Sequence, residues 1–491
     1  MKSELSAAQS NGLFSPLQKG GRGDLSSVAN ERAPNPPQSL FMKGGGWLST
    51  LFVAFVSCAN AADPAPSWTG GLDLRLREVG INNANALDDA SASAERHFQR
   101  YRLRAWGQYQ PEQSLLFNGR LMWEGRHYDE PDAPAAGYDT NYSGALMFDN
   151  LYVQADKVGG LPLKLKLGRQ DIILGNGWLM LDGSPLDGSR TIFFDALRAT
   201  WSSGLNTLDA IVLKQNPRTS LTLDGKVEDQ TEQNEKGLVL YLRNKYSPDT
   251  TLDGFYFYKD NSFASGSILN GARRTNNGFT IPVTVDPSDI GHVNAIGGRI
   301  ESQYSPTWKL RAEAAVEWGH RNGADMRGFG FNGRATHNLG GAWNNRVNLG
   351  YEYLSGDDRN TSRNEAFDPL WGRWPQWSEL YGPYTYGAET RTGETTNLHR
   401  LNLGWVAQVH PKAELSLDYH ALFADENTKC GSGFSCSDKF RGNLYTAWLR
   451  AKFNKNVSGH LLAEYFMPGD YYVAPKGDNA YFLRAELNLT Y

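Results

Sequence analysis

The stretch Tyr101-Arg-Leu-Arg-Ala-Trp-Gly-Gln-Tyr109 sorts its residues by twos: Tyr101, Leu103, Ala105 and Tyr109 share one face, and Arg102, Arg104, Trp106 and Gln108 share the other. Successive side chains of an extended chain point to opposite sides, so this period belongs to a strand between two unlike environments. The segments Leu310–Trp318, Arg346–Tyr353 and Leu415–Phe423 repeat it. Alternation alone leaves two architectures open. A soluble sandwich turns its apolar face to a core, whereas a membrane barrel turns it to lipid.

The connections separate the two. Short turn-like segments fall at 110–113, 157–160, 202–204, 247–249, 305–306, 340–341, 411–412 and 454–456. Longer polar stretches lie near 79–96, 127–146, 172–192, 217–236, 261–290, 320–327, 355–396, 425–440 and 467–479. Long and short alternate, which predicts about 18 strands in an all-β, transmembrane, antiparallel up-and-down barrel with short periplasmic turns and long extracellular loops. A sandwich has no reason to sort its connections by length. Aromatic residues at strand ends (Trp68, Tyr109, Trp201, Trp308 and Tyr491) suit the interfacial girdles of such a barrel.

Composition agrees. The 491 residues carry 49 Lys+Arg against 53 Asp+Glu, a net charge of -4 that excludes nucleic-acid binding through bulk basicity. Three cysteines exclude a disulfide-stapled miniature scaffold. No apolar run after residue 61 approaches the roughly 18 residues of a spanning helix. A content of 52 glycines and 12% aromatics fits a turn-rich β protein.

Both ends carry export features. Lys43, the apolar run Trp47–Val56 and Ala59-Asn60-Ala61 form the three parts of a secretory signal peptide over 42–61. The barrel is therefore expected over 62–491, in the bacterial outer membrane. Residues 1–41, rich in Gly, Ser, Pro and Asn and without periodicity, are expected to be a mis-assigned start or a disordered leader. Phe55-Val56-Ser57 ahead of Cys58 fits a lipobox poorly. At the other end, apolar residues at 481, 483, 485, 487 and 489 lead to the terminal Tyr491. That pattern resembles the signal by which the barrel-assembly machinery recognises outer-membrane proteins, so this machinery and outer-membrane lipids with lipopolysaccharide are expected partners.

If Tyr101, Leu103 and Ala105 face lipid, Arg100, Arg102 and Arg104 face the channel. The same phase turns Arg198, Arg243, Arg299, Arg311, Arg346 and Arg400 inward, with Arg75, Arg77, Arg120, Arg126, Lys164, Lys166, Arg450, Lys452 and Arg484. The matching acidic set is smaller: Asp73, Glu124, Asp253, Glu301, Glu313, Glu317, Glu352, Glu414, Asp418, Glu464 and Glu486. Cleavage after Ala61 leaves 44 basic and 50 acidic residues, so a basic lumen is a local bias in an acidic chain. Such a field concentrates anions, and the planar guanidinium can hold a carboxylate by two hydrogen bonds. The alternative is that these charges pair across strands and only fill the barrel.

Two stretches are similar to the alginate-export family of outer-membrane porins. One runs from Leu167-Gly-Arg-Gln170 through Gly175 and Arg190-Thr191 to Asp195-Ala-Leu-Arg198, with a longer spacing from Arg190 to Asp195 than the family pattern. The other is Tyr351-Glu-Tyr-Leu-Ser-Gly-Asp-Asp358 followed by Phe367–Leu380. The resemblance implies an 18-stranded monomeric barrel passing an anionic, alginate-like polysaccharide through an arginine-rich lumen.

Loop 355–396 gathers Trp371, Trp374, Trp377, Tyr381, Tyr384 and Tyr386 besides Phe367. These rings suit a sugar-docking platform, a folded-in constriction or a small core stabilising the barrel mouth. Cys430 and Cys436, bracketing a five-residue stretch in an outer loop, are expected to form a disulfide in an oxidising compartment. Catalytic patterns are absent: there is no H-E-x-x-H, no G-x-S-x-G and no Cys/His ligand spacing. His320 and His420 are expected to be polar strand or loop residues, no cofactor is implied, and Asp357-Asp358 is weak ground for a cation. Three functions stay open: a channel for an anionic oligo- or polysaccharide, a general small-solute porin, and a barrel-scaffolded enzyme or adhesin. For the export reading, N-terminal sequencing of outer-membrane protein is expected to return Ala62. A start before Met42 would contradict both the signal peptide and the reading of 1–41.

Overall fold

The computed structural model describes residues 66–91, 95–130, 141–182, 193–229, 234–262, 274–276, 279–281, 290–372, 376–385, 395–431 and 433–491. The expected signal peptide over 42–61 and residues 1–41 lie outside the described residues. Eighteen antiparallel strands close into one barrel. They are β1 (Ser67–Asn82), β2 (Glu95–Glu112), β3 (Leu115–Glu130), β4 (Met147–Ala155), β5 (Leu163–Gln170) and β6 (Phe194–Ser203). Then follow β7 (Asn206–Gln215), β8 (Asn234–Ser247), β9 (Thr250–Ser262), β10 (Gly291–Gln303), β11 (Trp308–Arg321) and β12 (Ala324–Gly340). The circuit ends with β13 (Asn345–Leu354), β14 (Leu398–His410), β15 (Ala413–Phe423), β16 (Phe440–Lys452), β17 (Val457–Pro468) and β18 (Ala480–Thr490). Each strand pairs with its sequence neighbour, and β1 meets β18 from Asp73 opposite Thr490 to Asn82 opposite Tyr481. A three-residue strand, Asn141–Ser143, caps the outer end of β3. No described helix is long and apolar enough to cross a membrane, so the strands do the crossing.

Burial is inverted relative to a soluble protein. Arg102 and Arg104 are each 3% exposed, while Leu103 between them is 45% exposed. Leu72, Val212, Ile296, Leu349, Leu403 and Leu461 are likewise exposed outward. Only a lipid surround makes such a surface stable, because in water it would be one large apolar patch. Trp68, stacked on Tyr109 at 4.3 Å, and Trp308 mark the turn-side rim.

The short turns fall where expected. One longer connection does not: the stretch 320–327 is a two-residue hairpin turn at Asn322-Gly323, with φ of 56° and 79°. β11 and β12 run on as paired strands beyond the lipid-facing zone. A polar stretch resembles a loop in composition, but Asn-Gly is the pair that fits a type I′ turn without steric cost.

The lumen is layered. Near the turn side the inward residues of β1 are Asp73, Arg75 and Arg77; towards the loop side they become Val79 and Ile81. β2 changes likewise from Arg104 and Arg102 to Phe98, and β18 from Glu486 and Arg484 to Phe482. The outer half of the lumen therefore holds an apolar core of wall residues and infolded loops, including Phe194, Phe257, Phe466, Leu174, Met180, Phe367 and Trp371. Alternation marks a residue as inward but says nothing of its depth.

Cys430 and Cys436 are disulfide-bonded, with Cα atoms 4.5 Å apart. Closing so small a ring is worth no more than about 2–3 kcal/mol. Mass spectrometry without reduction is expected to find no free thiol at these positions, and a paired Cys→Ser variant is expected to conduct normally. Two alkylatable thiols would contradict the bond.

Candidate functional site

Inward guanidinium groups on neighbouring strands compete for few carboxylates. Asp73 on β1 accepts from Arg102 at 3.0 Å and from Arg104 at 2.6 Å. Glu124 on β3 is shared by Arg100 at 3.2 Å and Arg126 at 2.5 Å. Glu486 on β18 takes Arg77 in close contact and Arg75 at 3.9 Å. Asp253 serves Arg299 at 2.8 Å and Arg243 at 3.3 Å, and Glu414 serves Arg346 at 2.6 Å and Arg450 at 4.0 Å. The opposite stoichiometry also occurs: Arg120 holds both Asp149 at 2.7 Å and Asp171 at 3.1 Å. Burial pushes the Asp171 carboxyl up, against the pull of Arg120. Arg198 forms a bidentate pair with Asp209 at 2.9 and 2.7 Å.

Arg311 on β11 differs from the others. Among the described residues it makes no ion pair and no side-chain hydrogen bond, and its electrostatic surroundings are mainly other arginines, Arg334, Arg299 and Arg400, with Glu313. It lines a cavity of about 80 Å³ with Trp178, Arg334, Glu352, Phe367, Trp377 and Arg400. Arg400 donates to Glu352 at 3.0 Å and lies over the Trp377 ring at 4.9 Å.

Two loops narrow the lumen above these charges. Residues 171–182 of the loop between β5 and β6 enter it, as do residues 355–372 and 376–385 of the loop between β13 and β14. They meet through backbone hydrogen bonds: Trp371 N donates to Leu179 O at 3.0 Å, and Leu181 N to Trp371 O at 3.1 Å. Trp178 stacks on Phe367 at 5.4 Å and donates its indole N–H to Glu352 at 3.1 Å. Trp371 is fully buried; its ring packs on Phe194 and Phe257, and its Nε1 donates to Glu235 on β8 at 3.0 Å. A Cβ on Gly237 would lie 2.2 Å from that ring, so this position on β8 is open only to glycine. Loop 355–397 is tied to the wall on both sides. Asp368 Oδ2 accepts from Arg321 at 2.6 Å, and Asp368 N donates to Glu317 at 2.7 Å. On the far wall Glu464 accepts from Ser378 Oγ, Glu379 N and Leu380 N at 2.7 to 3.1 Å. Tyr381 is buried under Arg441, whose Nη1 donates to its hydroxyl at 3.0 Å. The loop therefore crosses the lumen from β8 to β17.

Trp371, Trp377 and Tyr381 lie together in the apolar core with 0 to 6% exposure, so their ring faces contact protein. Trp374, Tyr386 and Arg190 lie outside the described residues, as does the side chain of Tyr384. Sequence reading passed over Asp149, Asp171, Arg169, Asp209, Lys259 and Arg441. Arg169 was hidden by Gly168, whose φ of 124° lets the chain bring Arg169 and then Gln170 inward in succession. Asp209 was within reach, since Arg198 lies on the adjoining strand and the segment 206–215 alternates.

Residues 68–483 match the family model described as alginate export. No curated protein matches the sequence. Among solved structures, the barrel is similar to Pseudomonas aeruginosa OccK5 (OpdH), with TM-score 0.52 and 13% identity over 86% of this chain and 97% of that one. Acinetobacter baumannii OccAB3 matches with TM-score 0.55 and 11% identity over 86% and 99%. P. aeruginosa OpdK, solved with vanillate, matches with TM-score 0.52 and 11% identity over 86% and 98%. These structures share the fold.

The clasp of the two loops yields a test. Replacing a buried Trp by Ala costs about 3–5 kcal/mol, which exceeds what a surface loop is expected to hold in reserve. Trp371→Ala is therefore expected to free loop 355–397 and raise single-channel conductance while leaving the barrel folded. Unchanged conductance would show that this loop does not set the narrowest passage.

Proposed function

The chain belongs to the alginate export family and is an outer-membrane β-barrel channel, and from that premise we propose that it passes an anionic, uronate-rich oligo- or polysaccharide passively, as a monomer and without catalysis. The observation that carries the reading is the sharing of single carboxylates between pairs of arginines at Asp73, Glu124, Glu486, Asp253 and Glu414. Sharing one carboxylate between two arginines favours positive charge on the channel wall, although at Asp253 Arg299 also contacts Glu301, and Arg311 adds a guanidinium with no ion pair among the described residues. In a narrow passage with low-dielectric walls, fixed positive charge lowers the barrier for carboxylates and raises it for cations.

Charge also sets the manner of passage. A polyuronate would exchange from one arginine to the next, because a guanidinium that shares its carboxylate with a neighbour releases a new one without being left bare. Binding stays weak at every site, which is what conduction requires. The cavity beside Arg311, at about 80 Å³, is far below the roughly 300–1,000 Å³ of ordinary ligand pockets. A polymer therefore needs loops 171–193 and 355–397 to withdraw. This tightness favours one second reading, a porin for small carboxylates, which is in keeping with the vanillate held by the similar OpdK barrel.

Current blockade in planar bilayers tests the proposal. At 0.1 M salt an oligogalacturonate is expected to interrupt the open-channel current, whereas a neutral oligosaccharide of equal length is not. At 1 M the interruption is expected to fade, as the screening length contracts from about 10 Å to about 3 Å. Arg311→Gln is expected to weaken the block without disturbing the fold, since no described carboxylate loses a partner. Block by a small aromatic carboxylate but not by the oligomer would favour the second reading, and equal block by the neutral sugar would contradict both.

A further inference from the structure

On the outside of the barrel, four metal-ligand side chains meet just above the lipid-facing zone of β1, β2 and β3. Register places Leu76 beside Tyr101 and Gly125, and two residues higher Glu78 beside Gln99 and His127. His97 stands opposite Gly80, one further step up. Its Nε2 lies 2.6 Å from Glu78 Oε1 and its Nδ1 3.2 Å from Asp129 Oδ2. The Nε2 of His127 lies 3.4 Å from the other Asp129 oxygen, Oδ1. Gln99 donates to both carboxylates, at 3.0 and 2.5 Å. Ligand atoms of Glu78, His97 and Asp129 all fall within 4.8 Å of one another.

The plain interpretation is a hydrogen-bonded staple across three strand ends. Two features exceed it. A staple needs one imidazole, whereas two converge on Asp129. The surroundings also select for cations: among the described residues, the adjoining depression on the rim is lined by Asp89, Glu95, Glu130 and Asp478 and by no lysine or arginine. The side chains are half-exposed, 46% for His97 and 45% for Glu78, so an ion from solvent reaches them.

We propose that Glu78, His97 and Asp129, with His127 as fourth ligand, form a binding site for a divalent transition metal of the zinc type. Imidazole with carboxylate suits such ions, whereas calcium takes six to eight oxygens and magnesium keeps its waters. A tetrahedral zinc with bonds of about 2.0–2.2 Å holds its ligands about 3.3 Å apart. The present spacing contracts to that by rotation of exposed side chains at strand ends, with one nitrogen of His97 turned towards both carboxylates. The ion displaces the amide of Gln99 and ties β1, β2 and β3 together at the extracellular rim.

Calorimetric titration of zinc into the tag-free mature protein in detergent tests this site. The expected result is one zinc per chain, a loss of affinity of about tenfold or more in His97→Ala, and a smaller loss in His127→Ala. His410→Ala, at the turn-side end of β14 on the opposite rim, is expected to bind as the wild type does. Heat-modified migration in gels verifies that each variant is a folded barrel. No binding by the wild type, undiminished binding by His97→Ala, or displacement of zinc by an equal concentration of calcium would overturn the assignment.

Discussion

The structure depends on one constraint: in hydrocarbon, every backbone N–H and C=O must find its partner within the sheet. An open sheet leaves two edges unpaired, so the ladder must return on itself, and the pairing of β1 with β18 does this. Closure then dictates the rest. A closed sheet has an inside and an outside, strict alternation assigns each residue to one of them, and lipid outside reverses the usual preference. That is why Leu103 is exposed while Arg102 and Arg104 are buried.

An interior of this kind must be furnished with polar groups, and the furnishing carries the chemistry. Near the turn side, several carboxylates are each shared by two arginines, and the sharing orients both guanidinium groups. Near the loop side the interior becomes apolar and is filled by two loops whose aromatic rings are spent on each other and on the wall. The ring of Trp371 fits over Gly237, and the backbone of its loop joins the 179–181 segment. Under the proposed function the two layers divide the work: the charged layer distinguishes ions by sign, and the loop layer sets the width of the passage.

Much of this was legible in the chain. Alternation around Tyr101–Tyr109 phased the arginines correctly because a strand admits only two faces, and the ordering of long and short connections led to the 18-strand barrel. What remained hidden depends on contacts distant in sequence. The burial of Trp371 rests on Glu235, Phe257 and Leu179, far away along the chain, and no local pattern reveals them. The pairing of Asp253 with Arg299 follows from register across two strands rather than from spacing. Local chemistry misled where two structures share a composition: the polar run around Asn322-Gly323 is a hairpin tip. At Gly168 a positive φ shifted the inward phase by one residue, which a strict period of two cannot register.

The central claim concerns the sign of the charge presented to a permeating ion. The zero-current potential of the wild-type channel, measured across a bilayer with a tenfold KCl gradient at low total salt, reports that sign directly. The account predicts a potential displaced towards the chloride equilibrium value, shrinking as both solutions approach 1 M. A potential displaced towards the potassium value would show that the carboxylates, and not the arginines, govern the lumen.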